Sequence, residues 1–261
     1  MGFNAGAERG VHDDEVERAV LDFQRNAGLP VDGIVGESTI VKFAALRKAE
    51  TGREGKKIPE RDGGYVQARS LTGQTVVVDP GHGGPDAGHI ASGGLAEKDF
   101  TLTLGLRLAE LLRAEGCRVR LTRERDEAVS IYTRAAVAND AGAGYFISLH
   151  ADANAAPLAC GAAFYYFQRS HYYSEHGRLL AEYMGARLER AGGRCLGGFG
   201  RNYGVLRESR AIAVQVEPLF LSNPAEEHLA ARPDHIEKLA QVLLGGLADY
   251  LARAPLEGDR S

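Results

Sequence analysis

From residue 74 to residue 253, short apolar runs alternate with amphipathic stretches, and nothing else in the chain constrains its fold as strongly. Strands separated by helix-length segments cannot pair as hairpins, so the alternation predicts an α/β domain. Its twisted sheet should be mostly parallel and flanked by helices. The runs QTVVVDP (74–80), CRVRLTR (117–123), YFISLH (145–150), GAAFYYF (161–167) and AIAVQVEPLFLS (211–222) read as strands. Residues 98–115, 130–142, 174–191 and 234–253 read as helices. Leu104, Leu108, Leu111 and Leu112 share a face of the first of these. Ile236, Leu239, Leu243, Leu247 and Tyr250 share a face of the last.

Residues 48–73 break this pattern. They are rich in charge and glycine and poor in large apolar groups, so they cannot bury enough surface to fold alone and read as a linker. Before them, residues 1–47 form a small helical module. Val16, Ala19, Val20, Phe23 and Ala27 make one apolar helix face, Gly28 is placed to end that helix, and Ser38 is placed to start another. Residues 8–20 resemble the stretch VDGIVGESTIVKF that begins at Val31, a short internal repeat that suggests a binding module. The α/β domain then spans 74–254.

The net charge of −4 gives no electrostatic footprint for nucleic acid or an anionic membrane. No run reaches the ~20 apolar residues that span a bilayer, and residues 1–15 lack the apolar core of a signal peptide. Cys117, Cys160 and Cys195 form no CxxC pair and read as free thiols. Neither a phosphate-binding GxxxxGK[ST] loop, an HExxH pair nor a GxSxG elbow is present.

Three predicted strands end in reactive groups. The first runs into Asp79-Pro80-Gly81-His82-Gly83-Gly84, the third ends at His150 with Asp152 just beyond, and the last carries Glu217. Ligands of open α/β sheets bind outside the carboxyl ends of the strands, so His82, His150 and Glu217 can converge. A carboxylate inside the apolar run VQVEPLFL is costly unless it is paired or bound to a metal, which favours a functional role for Glu217. Glu97 stands in the first turn of a helix, where the dipole favours an acid, and by position alone it reads as a cap. His89 is the rival metal ligand. His12, His171, His176, His228 and His235 read as solvated.

The motifs DPGHGG, GGLAEKDF, YTRAAVAND, ISLHAD and VQVEPLFLSN, in this order, closely resemble the zinc-dependent N-acetylmuramoyl-L-alanine amidases of the amidase-3 type over about residues 74–253. The resemblance implies that His82, Glu97 and His150 hold a Zn2+ ion and that Glu217 is the catalytic carboxylate. It thereby replaces the cap reading of Glu97. It implies hydrolysis of the amide between N-acetylmuramic acid and L-alanine in peptidoglycan, with a muramyl peptide as partner. Arg134 and Asn139 match the family's helix motif as structural support or substrate-side lining. Leu219 departs from the family's usual glycine, which predicts a reshaped groove beside Glu217. The stretch AVLDFQRNAGLPVDGIVGESTI resembles the peptidoglycan-binding domain 1 module, shortened here because the chain begins about where the module's opening helix would end. A non-catalytic wall sensor or regulator on the same fold is the alternative. The substrate places the protein at the cell envelope or outside the cell, whereas the lack of a signal peptide leaves the cytoplasm open.

Overall fold

The computed structural model describes residues 14–36, 38–40, 42, 69–154, 156, 158–169 and 172–253. The chain divides into two compact units, residues 1–60 and 61–261. In the first, helix α1 (Asp14–Ala27) ends at Gly28, whose φ of 68° is a left-handed value that glycine reaches without strain. Ala19 and Phe23 are buried as the pattern requires. Gln24, which the pattern did not single out, is the polar centre of the unit. Its amide nitrogen donates to Asp32, Ile34 and Thr39, and its oxygen accepts from the backbone of Asp32 and Gly33. Residues 38–40 and 42 are helical, so Ser38 lies inside the turn it was expected to cap. His12, His171, most of the expected linker and the first half of the expected repeat lie outside the described residues.

The second unit is a seven-stranded sheet between two helical layers. In chain order its elements are β1 (Thr75–Pro80), α2 (Glu97–Ala114), β2 (Arg118–Leu121), α3 (Ile131–Asp140), β3 (Tyr145–Leu149), β4 (Ala162–Arg169) and β5 (Tyr172–Tyr173). Next come α4 (Glu175–Arg190), β6 (Cys195–Arg201), α5 (Gly204–Glu208), β7 (Ile212–Glu217), α6 (Pro224–Ala230) and α7 (Pro233–Arg253). The strand order is β2-β1-β3-β7-β4-β5, with β6 on β4. All neighbours are parallel except β4, which runs antiparallel to β7 and β5.

Strand side chains alternate between faces, and here both faces are buried. Val76, Val78, Ile147, Leu149, Val214 and Val216 face one core with the apolar sides of α2, α4 and α7. Val77, Phe146, Ala213, Ala163 and Tyr165 face the other, with residues of α3 and α5. A sheet covered on both sides explains why these strands read as continuous apolar runs. The extended run expected over 211–222 stops at Glu217, because Pro218 has no N–H to continue a central ladder.

Candidate active site

β1, β3 and β7 are parallel neighbours and so present their carboxyl ends along one edge. Leu149 pairs with both Pro80 and Val216. One residue further on, the His150 amide donates to the Val216 carbonyl at 2.9 Å. Because Ser148 is paired with Gln215, the alternation puts His150 and Glu217 next to each other on the same face. The two loops stay zipped beyond the strands. The Asp152 amide donates to Leu219 O, and the Leu221 amide returns a bond to Asp152 O. Glu217 is thereby fixed beside His150 by backbone register.

The loop after β1 brings the second imidazole. Gly81 must be glycine there, since a Cβ would lie 2.5 Å from His150 Cε1 and 2.7 Å from the Leu149 carbonyl. His82 follows with φ 58°, the only positive value among the described non-glycine residues. A left-handed conformation costs an L residue roughly 1–2 kcal/mol and persists only where its surroundings impose it. Gly88, at φ 65°, closes the same loop where a Cβ would meet Glu97 and His82.

Three donors meet at this edge. Glu97 Oε1 lies 3.0 Å from His82 Nε2 and 3.0 Å from His150 Nδ1, and the two imidazole nitrogens are 3.1 Å apart. Glu97 is the first residue of α2, but its carboxylate does not cap the helix, and Ala96 at the N-cap makes no side-chain bond. Its oxygens instead accept from the backbone amides of Ala151 and His89. His89 therefore contributes its main chain, and its ring is not in the donor cluster.

The electrostatics follow from these contacts. Burial opposes ionisation of Glu97, but hydrogen bonds from His150 and His82 outweigh it and hold the carboxyl far below the usual range. Burial likewise disfavours a charged His82, yet its contacts with Asp86 and Glu97 prevail and push it up to about 10. Asp86 Oδ2 stands 3.0 Å from His82 Nδ1 but makes no well-aligned hydrogen bond there. Sequence reasoning missed Asp86, although a carboxylate behind a ligand histidine is a common arrangement. A tetrahedral zinc with bonds of ~2.0–2.1 Å needs donors about 3.3–3.4 Å apart. Two imidazoles and a carboxylate 3.0–3.1 Å apart match that donor set and come close to its spacing.

Glu217 is 8% exposed, and Gln215 Nε2 donates to its Oε1 at 2.9 Å. Burial, reinforced by the negative charge of Asp152, pushes the Glu217 carboxyl up to about 8. Asp152 is itself raised, mainly by burial. Asp152 raises Glu217, whereas a hydrogen bond from Glu217 lowers Asp152, so the pair is suited to holding one proton, on Glu217.

Two arginines hold the histidine loop from behind. Arg134 donates to Asp79 Oδ1 at 2.6 Å, to the Pro80 carbonyl at 2.5 Å and to the His82 carbonyl at 2.6 Å. Arg123 donates to the carbonyls of Pro80, Gly81 and Lys98. Asp79, fully buried, also accepts from Thr122 and Ser148. Asn139 bridges Glu208 O and the Arg210 amide, tying α3 to the segment that enters β7. Arg134 thus holds buried groups of the histidine loop, and Asn139 ties two backbone groups nearer the surface. Leu219, two residues after Glu217, is 2% exposed and packs in the core. The three cysteines are free thiols, with only Cys117 fully buried. His176, expected to be solvated, is half-buried and bonded to the Tyr250 hydroxyl at 2.7 Å.

A mostly parallel α/β sheet with two histidines and a glutamate converging at its carboxyl edge is a frame suited to a divalent metal. Residues 76–249 match the N-acetylmuramoyl-L-alanine amidase family, and the chain belongs to that family. Residues 1–42 match a peptidoglycan binding domain. The chain is 30% identical over 252 residues to the N-acetylmuramoyl-L-alanine amidase CwlM of Mycobacterium tuberculosis, covering 95% of this chain and 62% of that protein. It is 33% identical over 187 residues to the cell wall amidase LytH of Staphylococcus aureus, covering 70% of this chain and 60% of that protein. It therefore spans about three-fifths of the length of these relatives. An N-acetylmuramoyl-L-alanine amidase of Clostridium difficile 630 superposes with a TM-score of 0.66 at 29% identity, covering 70% of this chain and all of that one.

Proposed function

We propose that this protein hydrolyses the amide between N-acetylmuramic acid and L-alanine in peptidoglycan, with Zn2+ held by His82, Glu97 and His150 and with Glu217 as the proton-transfer group. The observation that carries the proposal is the triangle of donors 3.0–3.1 Å on a side, with a buried carboxyl on the adjoining strand. A zinc ion bound there supplies a Lewis acid that acidifies water and polarises the amide carbonyl. Glu217 sits where it can accept the proton of the attacking water and return it to the departing L-alanine nitrogen. Burial raises the proton affinity of the Glu217 carboxyl, which favours its taking up the water's proton before passing it on. Gln215 fixes one oxygen of Glu217, leaving the other to exchange the proton. Arg134 and Arg123 keep the His82 loop in its left-handed turn.

The N-terminal unit fits a role in holding the protein on its polymer, and the substrate places the work at the cell envelope or outside the cell. Among the described residues no helix is long and apolar enough to cross a membrane. The test is release of stem peptides bearing a free L-alanine amino terminus from purified sacculi by the zinc-loaded protein. Glu217→Ala should keep its zinc and lose that release. Wild-type rates from the variant would show the assignment of Glu217 to be wrong. A zinc-loaded wild type that releases nothing would point to the non-catalytic sensor.

A further inference from the structure

Beyond Glu217 the same sheet face continues onto β4 and β6. Antiparallel pairing sets Ala163 opposite Glu217 and Tyr165 opposite Gln215, and parallel pairing sets Phe199 opposite Tyr165. These side chains share the face that carries Glu217. Tyr165 packs its ring 5.9 Å from Phe199 and 5.4 Å from Tyr203. The Arg201 guanidinium lies over two of these rings, 5.7 Å from the centre of Tyr165 and 5.9 Å from that of Phe199. Arg201 follows Phe199 by two residues, and β6 is parallel to β4, whose first residues flank Glu217. The guanidinium thus folds back along its strand, toward the catalytic edge. The phenol of Tyr165 is within electrostatic reach of both Glu217 and Arg201.

Three features make Arg201 stand out. It is exposed. It has no carboxylate partner among the described residues, whereas Arg107, Arg134, Arg178 and Arg190 each have one. Stacking on two rings, a bond from Nη1 to the Gly200 carbonyl at 3.0 Å and a contact with Tyr203 hold its guanidinium in place, and the remaining N–H groups of its five-donor fork can meet an incoming anion. Its surroundings on the other side are acidic, with Glu217, Asp152 and Glu97 gathered at the sheet edge. Arg201 is the cationic side chain that faces Tyr165 and Phe199 on this part of the sheet.

We infer that Arg201, stacked on Tyr165 and Phe199, is a specificity-determining residue that binds a carboxylate of the stem peptide one residue beyond the scissile amide. The inference rests on the amidase reading above, because that reading places the muramyl–alanyl bond beside Glu217. In peptidoglycan the residue after L-alanine is D-glutamate joined through its side chain, so its α-carboxyl group is free unless amidated. That carboxylate lies roughly 7 Å from the scissile carbonyl, two residue lengths of extended chain. From Glu217 the Tyr165 position is two residues back and one strand across, about 8 Å at 3.3 Å per residue and 4.8 Å per strand. The ligand's carboxylate thus reaches the neighbourhood of Tyr165, over whose ring the Arg201 guanidinium lies.

The test compares two small ligands, muramyl-L-alanyl-D-glutamate and muramyl-L-alanyl-D-isoglutamine, which differ only by carboxylate against carboxamide. Binding to the zinc-loaded protein is measured by calorimetry in the Glu217→Gln background, where turnover is removed, with Arg201, Arg201→Gln and Arg201→Lys. Turnover of both compounds is measured separately with Glu217 intact. A charge-assisted, bidentate contact predicts about tenfold tighter binding of the carboxylate ligand to the Arg201 protein. The ratio should fall to about one in Arg201→Gln and be partly retained in Arg201→Lys. An Arg201-dependent preference in binding with no turnover of either compound would sustain the carboxylate site at Arg201 and remove the amidase reading. Equal binding of the two ligands to the Arg201 protein, no binding of either, or a preference that survives Arg201→Gln would overturn it.

Discussion

Replacing Arg134 by Leu should be among the most damaging single changes distant from the donor triangle. Arg134 is 5% exposed and Asp79 is 0% exposed, so the pair sits out of water. The guanidinium holds Asp79 in its ionised form against the burial that would otherwise protonate it. It also satisfies the carbonyls of Pro80, His82 and Val129. Removing one partner of a buried pair costs about 3–5 kcal/mol, because the other charge is stranded. Against a typical total of 5–15 kcal/mol that is a large fraction. Asp79 keeps its bonds from Thr122 and Ser148, which places the expectation near 3 kcal/mol in equilibrium denaturation. The double variant Asp79→Asn with Arg134→Leu should be more stable than Arg134→Leu alone, since the stranded charge is gone. Both should bind zinc more weakly than wild type, because nothing then holds the His82 carbonyl in its left-handed turn. A loss below 1 kcal/mol for Arg134→Leu, or a double variant less stable than it, would refute this reasoning.

Gly81→Ala should lower zinc affinity by tenfold or more, since its Cβ meets the His150 ring and a backbone carbonyl that cannot move aside. Overpacking of this kind costs about 1–3 kcal/mol, so the variant should still fold, and a chelator competition that finds unchanged affinity would count against it. The chelated protein should lose stability as pH rises. Glu217, raised to about 8, keeps a proton that the unfolded chain releases above about 4.5, so its contribution is present at low pH and lost on the way to pH 8. His82, raised to about 10 from 6.5, acts in the same direction over a higher window. Glu97, depressed, loses its contribution only as pH falls below about 4.5. Thermal melts in chelator should therefore peak near pH 5 and decline by pH 8. Zinc should reverse that decline, because it binds deprotonated ligands. Equal melting temperatures at pH 5 and pH 8 in chelator would contradict the assignment.

The strand order follows from connections the sequence does not spell out, but the strands themselves were legible because burial on both faces leaves unbroken runs such as VVV and AVQV. β6 was not foreseen. CLGGFGR carries three glycines and alternates half-buried with exposed positions, so it reads as loop and is extended only because β4 pairs with it. At the site, His82, His150 and Glu217 could be read from residues at strand ends. Glu97 could not, since an acid in a first helical turn has an ordinary explanation. What distinguishes it is that the Gly88 turn lets its side chain fold away from its own helix. Arg134 was singled out only by the family resemblance, because its contacts span 52 residues, and Asp86 was missed, because its role depends on a tight loop.

The central claim is that the donor triangle and Glu217 form one hydrolytic site, and stem release from sacculi with the product identified tests it most directly. The zinc-loaded wild type should liberate peptides beginning with free L-alanine and leave intact muramyl lactyl groups on the glycan. Chelation or His150→Ala should stop this by removing the metal, and Glu217→Gln should stop it with one zinc per chain still bound. Undiminished release by Glu217→Gln, or release that persists after the metal is stripped, would contradict the account.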